Sequence, residues 1–271
     1  MTGARTDRAS EGRVAGSFDG SFAGAFAVDG VLLDIDDTLV DLHRAMDATL
    51  RAVARQTGLA VPTELEDEYS LDFSRDPDGF YDRYLAGELD FATQRQYRVR
   101  AAHERLGLEP IADLDGWDAM YTAILPTHFT AFDDVVPLLD ALEAAGIPYG
   151  ALSNNVADYQ RAKLDRAGLE RIGILIGTDT LGVAKPDPAI FREGARQVGS
   201  EPGRTLYVGD NPAVDAVGAT DAGLVGVWLD RALAGGRGSV GQGTGLDEGG
   251  AGAFTGPVVS SLTDVMHLIA A

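Results

Sequence analysis

Apolar residues along this chain gather in short runs separated by stretches of helical period. The runs Gly30–Ile35, Pro148–Leu152, Ile172–Ile176, Thr205–Val208 and Leu224–Leu229 are rich in Val, Ile and Leu and bounded by turn formers, the mark of buried strands. VVSSL near the end offers a sixth. Between them, DVVPLLDALEAAG puts Val135, Leu138, Leu139 and Leu142 on one helical face and closes with Gly146. DYQRAKLDRAGL and PAIFREGARQVG follow the same pattern. Strands separated by single helices predict a parallel sheet covered on both faces. Right-handed crossovers then make it a doubly wound α/β domain of Rossmann-like form.

The alternation breaks from residue 41 to about 130. DLHRAMDATLRAVARQTG spaces Leu42, Met46, Leu50 and Val53 along one face, and FATQRQYRVRAAHERLG and DGWDAMYTAIL are also helical in pattern. A helical insert over 41–130 therefore divides the core into 29–40 and 131–271. Residues 1–28 are rich in Gly, Ser and Ala and read as a flexible tail, although Phe18, Phe22 and Phe26 recur every fourth residue. The segment 234–256 is glycine-rich as well. It contains the G-x-G-x-x-G spacing at Gly236, Gly238 and Gly241, but more glycine follows where a nucleotide-binding helix would have to open, so it reads as a flexible loop.

Composition narrows the chemistry. The net charge of −20 over 271 residues disfavours nucleic acid and anionic membrane as partners. No cysteine is present, which removes disulfides, thiolate nucleophiles and zinc–thiolate sites. Apolar runs fall well short of the roughly 20 residues a membrane span requires. The first 20 residues hold no continuous apolar segment of the secretory kind, so a cytoplasmic location is expected. Nearly all basic residues are arginine; Lys163 and Lys185 are the only lysines.

In an open parallel sheet, ligands bind beyond the carboxyl ends of the strands. Those ends carry Asp34 and Asp36; Ser153, Asn154 and Asn155; and Asp210 and Asn211, with Asp215 following, while Lys185 stands in the loop GVAKPDP. Three acids converging from different strands call for a hard cation, and Mg²⁺ favours one or two carboxylates with waters and a substrate phosphate. Ser153, the backbone at Asn154 and the Lys185 ammonium supply donors for an anion beside it. Carboxylates, metal and anion donors together describe phosphoryl transfer through a covalent aspartyl-phosphate.

DIDDTL, LSNN, AKPDP and VGDNPAVDAVGATDAG, in that order, resemble the four motifs of the haloacid dehalogenase superfamily, over residues 29–232 and the tail VVSSLTDVMHLI. The insert resembles the helical cap that the family places after motif one. The resemblance implies that Asp34 is the nucleophile and Asp36 the general acid, then base. Thr38 would fix the motif-one loop. Ser153 and the Asn154 backbone would bind the transferring phosphate, and Lys185 would steady the charge it shares with the nucleophile. Mg²⁺ would take one Asp34 oxygen, the Asp36 main-chain carbonyl and Asp210, with Asn211 and Asp215 in support. Two positions depart from the pattern: Asp37 stands where many relatives have glycine, and Val214 replaces a residue that is often polar.

The expected activity is hydrolysis of a small phosphorylated metabolite, because an alkoxide leaving group needs the proton Asp36 can give whereas a halide does not. Rival readings are a phosphomutase, a haloacid dehalogenase and a catalytically idle phosphate-binding regulatory module. His43 reads as a surface residue of the first cap helix. Tyr81, Arg83, Tyr84, Arg95 and Arg98 are cap residues within conceivable reach of substrate, although ordinary helix faces also look this way.

Overall fold

The computed structural model describes residues 26–234 and 254–269. The expected tail up to residue 25 and glycine-rich residues 235–253 lie outside the described residues. Six strands form one wholly parallel sheet: β1 (Gly30–Leu33), β2 (Tyr149–Leu152), β3 (Ile174–Ile176), β4 (Thr205–Gly209), β5 (Val225–Leu229) and β6 (Val258–Val259). They lie in the order β3-β2-β1-β4-β5-β6. The order reverses beside β1, whose Leu33 pairs with Ala151 on one side and Val208 on the other. A cleft is expected at the carboxyl end of such a switch point.

Strand alternation sorts β1 onto two cores. Val31 and Leu33 pack with Val135, Leu138, Leu139 and Leu142, whereas Leu32 packs with Ile190, Phe191 and Tyr207 on the opposite face. The core helices explain this. Helices α6 (Val135–Ala145) and α7 (Ala157–Arg166) supply the first face; the short α8 (Thr178–Leu181) leads to α9 (Pro188–Gln197), which with α10 (Gly218–Asp221) covers the second. The five helices α1 (Leu42–Thr57), α2 (Glu66–Arg75), α3 (Phe80–Leu85), α4 (Phe91–Arg105) and α5 (Leu114–Ile124) occupy the insert. Asp41 caps α1 by accepting from Arg44 N at 3.0 Å, and Leu42, Met46, Leu50 and Val53 are all buried, as their spacing predicts. Phe73, Trp117 and Tyr121 form the aromatic centre of the insert, with the Trp117 and Tyr121 rings stacked at 5.1 Å.

The chain enters and leaves the insert at one junction. Asp41 N donates to Thr130 O at 3.0 Å, Phe132 N to Leu39 O at 3.1 Å, and Val40 forms an antiparallel bridge with Ala131. Nearby, Asp134 accepts from Arg231 at 2.9 and 3.1 Å and from Leu262 N at 2.9 Å, while Arg231 also donates to Thr38 O at 2.8 Å. One ion pair thus ties the motif-one loop to the last strand connection. At the other end, Phe26 N donates to Leu268 O at 2.7 Å, so the residues just before β1 are paired with the chain's final turn.

In the first five strands, two boundaries differ from the sequence pattern by more than one residue. β1 stops at Leu33, not Ile35, because Ile35 O turns out of the ladder to accept from Leu39 N and Val40 N, both at 2.9 Å. β3 starts at Ile174, since Ile172 N is spent on Leu169 O in the preceding turn.

Candidate active site

Asp34 N makes a last ladder-like bond to Val208 O at 2.9 Å, and the chain then folds back on itself. Asp37 takes a left-handed φ of 60° in that turn, a conformation that aspartate tolerates better than most residues with a side chain. Asp37 also has its own stabilising partner. Its carboxylate accepts from His43 N at 3.0 Å and lies 2.7 Å from His43 Nδ1. His43 is therefore no surface residue of α1. Burial opposes its charge, but Asp37 and the more distant Asp41 outweigh that and hold its pKa above the ordinary histidine value.

Lys185 reaches the end of β1 from the loop before α9. Its Nζ lies 2.5 Å from Asp34 Oδ1, 2.8 Å from Asp215 Oδ1 and 2.9 Å from the Tyr207 hydroxyl. Tyr207 donates in turn to Asp215 at 3.0 Å, and Asn211 N to the other Asp215 oxygen at 3.1 Å. Asp215 is thus bonded through both carboxylate oxygens. It sits inside a turn of π-helix, Pro212–Val217, and anchors the lysine. Gly209 makes that approach possible, because a Cβ there would stand 2.4 Å from Asp215 Cγ. Asn154 holds the backbone of Lys185 from both ends of its amide: Oδ1 accepts from Lys185 N at 2.6 Å and Nδ2 donates to Lys185 O at 2.9 Å.

Asp36 is served by two residues that the sequence pattern did not single out for chemistry. Lys163 Nζ donates to Asp36 Oδ1, and Gln160 Nε2 donates both to Asp36 Oδ2 at 2.8 Å and to Ser153 Oγ at 2.6 Å. Both lie on the buried face of α7, where a helical repeat alone predicts apolar residues. Phe129 and Tyr159 flank the Lys163 ammonium at 5.4 and 5.2 Å. Burial works against that charge most strongly, but Asp36, Tyr159 and Asp37 together outweigh it and Lys163 keeps a raised pKa. The only sequence signal for its role was its rarity.

The buried carboxylates strain against one another. Asp34, Asp210 and Asp215 bring carboxylate oxygens within 4.8 Å of each other. Burial, opposed by Lys185 and reinforced by Asp215, pushes Asp34 up to about 7. Burial and the nearby Asp34 raise Asp210 well above the carboxylate range. One lysine does not balance this set, so its chemistry fits a hard cation with oxygen ligands. The Asp36 carboxylate is not one of the trio; its two oxygens accept from Lys163 and Gln160 at the edge of the same cavity. The Thr38 side chain is buried, and its Oγ1 has no hydrogen-bond partner among the described residues.

Asp34, Asp36, Lys185, Asp210 and Asp215 line a cavity of about 260 Å³, with Ser153, Asn154 and Asn211 on the core side and Tyr81, Asp82 and Leu85 of α3 on the other. The remaining cap residues named from sequence point elsewhere. Arg95 pairs with Asp118 at 2.8 Å, Arg98 donates to Phe73 O at 2.6 and 2.9 Å, and Arg83 pairs with Glu88 at the surface. Tyr84 borders an adjoining cavity. Among the described residues, no helix is long and apolar enough to cross a membrane.

Residues 28–223 match the profile of the haloacid dehalogenase-like hydrolases. The chain is 28% identical to a glyceraldehyde 3-phosphate phosphatase of Methanopyrus kandleri, over 75% of this chain and 84% of that protein. It is 36% identical to a phosphoglycolate phosphatase of Xylella fastidiosa, over 73% and 80%. Its fold superposes on the HAD-hydrolase YfnB from Bacillus subtilis, solved with magnesium bound, with a TM-score of 0.69 and 19% identity across 90% of this chain and 99% of that one. An L-2-haloacid dehalogenase from Xanthobacter autotrophicus shares the fold at a TM-score of 0.63 and 22% identity, over 89% of this chain and 98% of that one.

Proposed function

Because the chain belongs to the haloacid dehalogenase-like hydrolases, we propose that it is a Mg²⁺-dependent phosphatase of small phosphorylated metabolites, acting through an aspartyl-phosphate on Asp34. The observation that carries this reading is the meeting of Asp34, Lys185 and Asp210 on one cavity from three separate parts of the chain. The relatives named as phosphatases support it.

An Asp34 oxygen attacks phosphorus as the bond to the leaving alcohol breaks, and Asp36 gives that oxygen its proton. Asp36 then takes a proton from water, the water oxygen attacks the same phosphorus, and Asp34 leaves with inorganic phosphate as the second product. Lys185 offsets the charge that nucleophile and phosphoryl group share, and Ser153 with the Asn154 backbone donates to the phosphoryl oxygens. Mg²⁺, held by Asp34, Asp210 and the Asp36 carbonyl, would supply the positive charge needed where a phosphate dianion meets a carboxylate. The Asp36 carboxyl separates this reading from dehalogenation, in which the leaving halide needs no proton.

Release of free phosphate from a panel of phosphorylated metabolites tests the activity, and product analysis separates it from a mutase. Asp34→Asn is expected to lower kcat by more than about 10³-fold while the protein stays folded. Substantial turnover by that variant would remove Asp34 as the nucleophile.

A further inference from the structure

We propose that Gln160 is a positioning residue whose single amide sets both the acid of the motif-one loop and the phosphate-binding serine. The proposal rests on the phosphatase reading, in which Asp36 transfers the leaving-group proton and Ser153 donates to the phosphoryl oxygens.

Asp36 and Ser153 line the cavity, whereas Gln160 is 0% exposed. It therefore acts through those two side chains and not on substrate. Its Nε2 lies 2.8 Å from Asp36 Oδ2 and 2.6 Å from Ser153 Oγ. An ionised carboxylate only accepts, so the atom facing Asp36 is the nitrogen, and its two hydrogens are divided between the two neighbours. Gln160 Oε1 stays buried with no hydrogen-bond partner among the described residues. An unpaired buried carbonyl is a cost to stability, and it accompanies the two bonds that Nε2 makes into the site.

The bond to Ser153 has a directional consequence. Ser153 N already donates to Ile176 O at 3.0 Å beside the β2–β3 ladder, so the hydroxyl rotor is the freedom that remains. A serine hydroxyl carries one donor and two acceptor lone pairs. With one lone pair taken by Gln160, the hydrogen is kept off the amide nitrogen's side and left to an acceptor in the cavity. On Asp36 the amide holds Oδ2 while Lys163 holds Oδ1, which fixes the carboxylate in direction. Of these two residues of α7, Gln160 is the one bonded to both sides of the reaction.

The test is made with Mg²⁺ present. It measures kcat for p-nitrophenyl phosphate and for the fastest alkyl phosphate of the metabolite panel, and the inhibition constant of inorganic phosphate. Gln160→Met should raise that constant about fivefold, the effect of one misdirected hydrogen bond. It should also lower kcat at least about tenfold more for the alkyl ester than for p-nitrophenyl phosphate, whose phenolate leaves unaided. In a Ser153→Ala background the same substitution should leave the phosphate constant unchanged while the effect on kcat persists. Gln160→Ala, which removes the donor and leaves space, should repeat both effects. Four results overturn the proposal: a phosphate constant that neither variant moves, the same rise with and without the Ser153 hydroxyl, equal losses for both esters, or loss of the fold in both variants. Wild-type protein that releases phosphate from no ester would instead overturn the phosphatase reading.

Discussion

Lys163 donates to Asp36 from the buried face of α7, so each of the two lysines in the chain is bonded to a carboxylate of the motif-one loop. Lys185 serves Asp34 and Lys163 serves Asp36. The second contact orients the group assigned to proton transfer without touching the position of the phosphate, which makes Lys163 a positioning residue.

Lys163→Met should therefore impair catalysis through the leaving group. We expect kcat for an alkyl phosphate to fall about 10²-fold, within the range of general acid–base effects, and much less for p-nitrophenyl phosphate, whose phenolate leaves without help. KM should change little. Equal losses for both esters would mean that Lys163 only supports the fold.

The crowded acids predict a stability response to metal that needs no turnover. Mg²⁺ at a hundred times its Kd should stabilise the native state by about 2.7 kcal/mol, and the resulting rise in Tm should disappear in EDTA. Asp210→Asn removes one of the repelling carboxylates, so its metal-free Tm should equal or exceed that of the wild type while the response to Mg²⁺ is lost. An Asp210→Asn protein that still gains stability from Mg²⁺ would move the metal elsewhere.

Gly209→Ala tests the anchor beneath Lys185. A Cβ 2.4 Å from Asp215 Cγ displaces that carboxylate, and overpacking in a buried region costs about 1–3 kcal/mol. Activity should drop at least about tenfold, although no reacting atom is altered. Melting curves and steady-state rates on the same sample check both expectations.

His103 gives the cap a dependence on acidity. It is buried between the Glu109 carbonyl, 2.7 Å from Nδ1, and the Tyr69 hydroxyl, 3.3 Å from Nε2. Burial lowers its pKa beneath the ordinary 6.5, with the Glu109 carbonyl pulling the other way. A depressed imidazole is neutral when folded, so its contribution is intact above about pH 6.5. As pH falls below that, the unfolded chain takes up the proton first and stability declines until the folded value is reached, by up to about 1.4 kcal/mol per pH unit. Unfolding midpoints from pH 7.5 to 5 should show this slope, and His103→Gln should remove it.

Much of this was legible in the chain because strand ends in a parallel sheet are fixed by apolar runs, and the acids stand directly after them. Asp34, Ser153 and Asp210 could be placed from that rule alone. Lys163 and Gln160 could not: on a helix, an inward-facing polar residue looks like any other polar residue until the opposing carboxylate is located. Tyr207 was hidden for the converse reason, since in TLYVG an aromatic residue reads as strand core and its hydroxyl carries no sequence mark. His43 was misread because its partner, Asp37, lies across a turn whose left-handed residue is not glycine. The facing of the cap arginines depended on Asp118 and Phe73, whose positions come from packing among α2, α4 and α5.

The bridge between Val40 and Ala131 has an engineering consequence. Residues opposed in an antiparallel pair stand about 4.5–5.5 Å apart at their Cα atoms, a gap that a short turn can close. The intervening ninety residues thus leave and rejoin the core at adjacent points, with the Phe91–Tyr159 ring pair at 5.7 Å as a further contact between insert and core. Excising them, or exchanging them for another set of helices, should demand no change of strand register in the sheet below, and specificity could be rewritten while the machinery of hydrolysis is inherited whole.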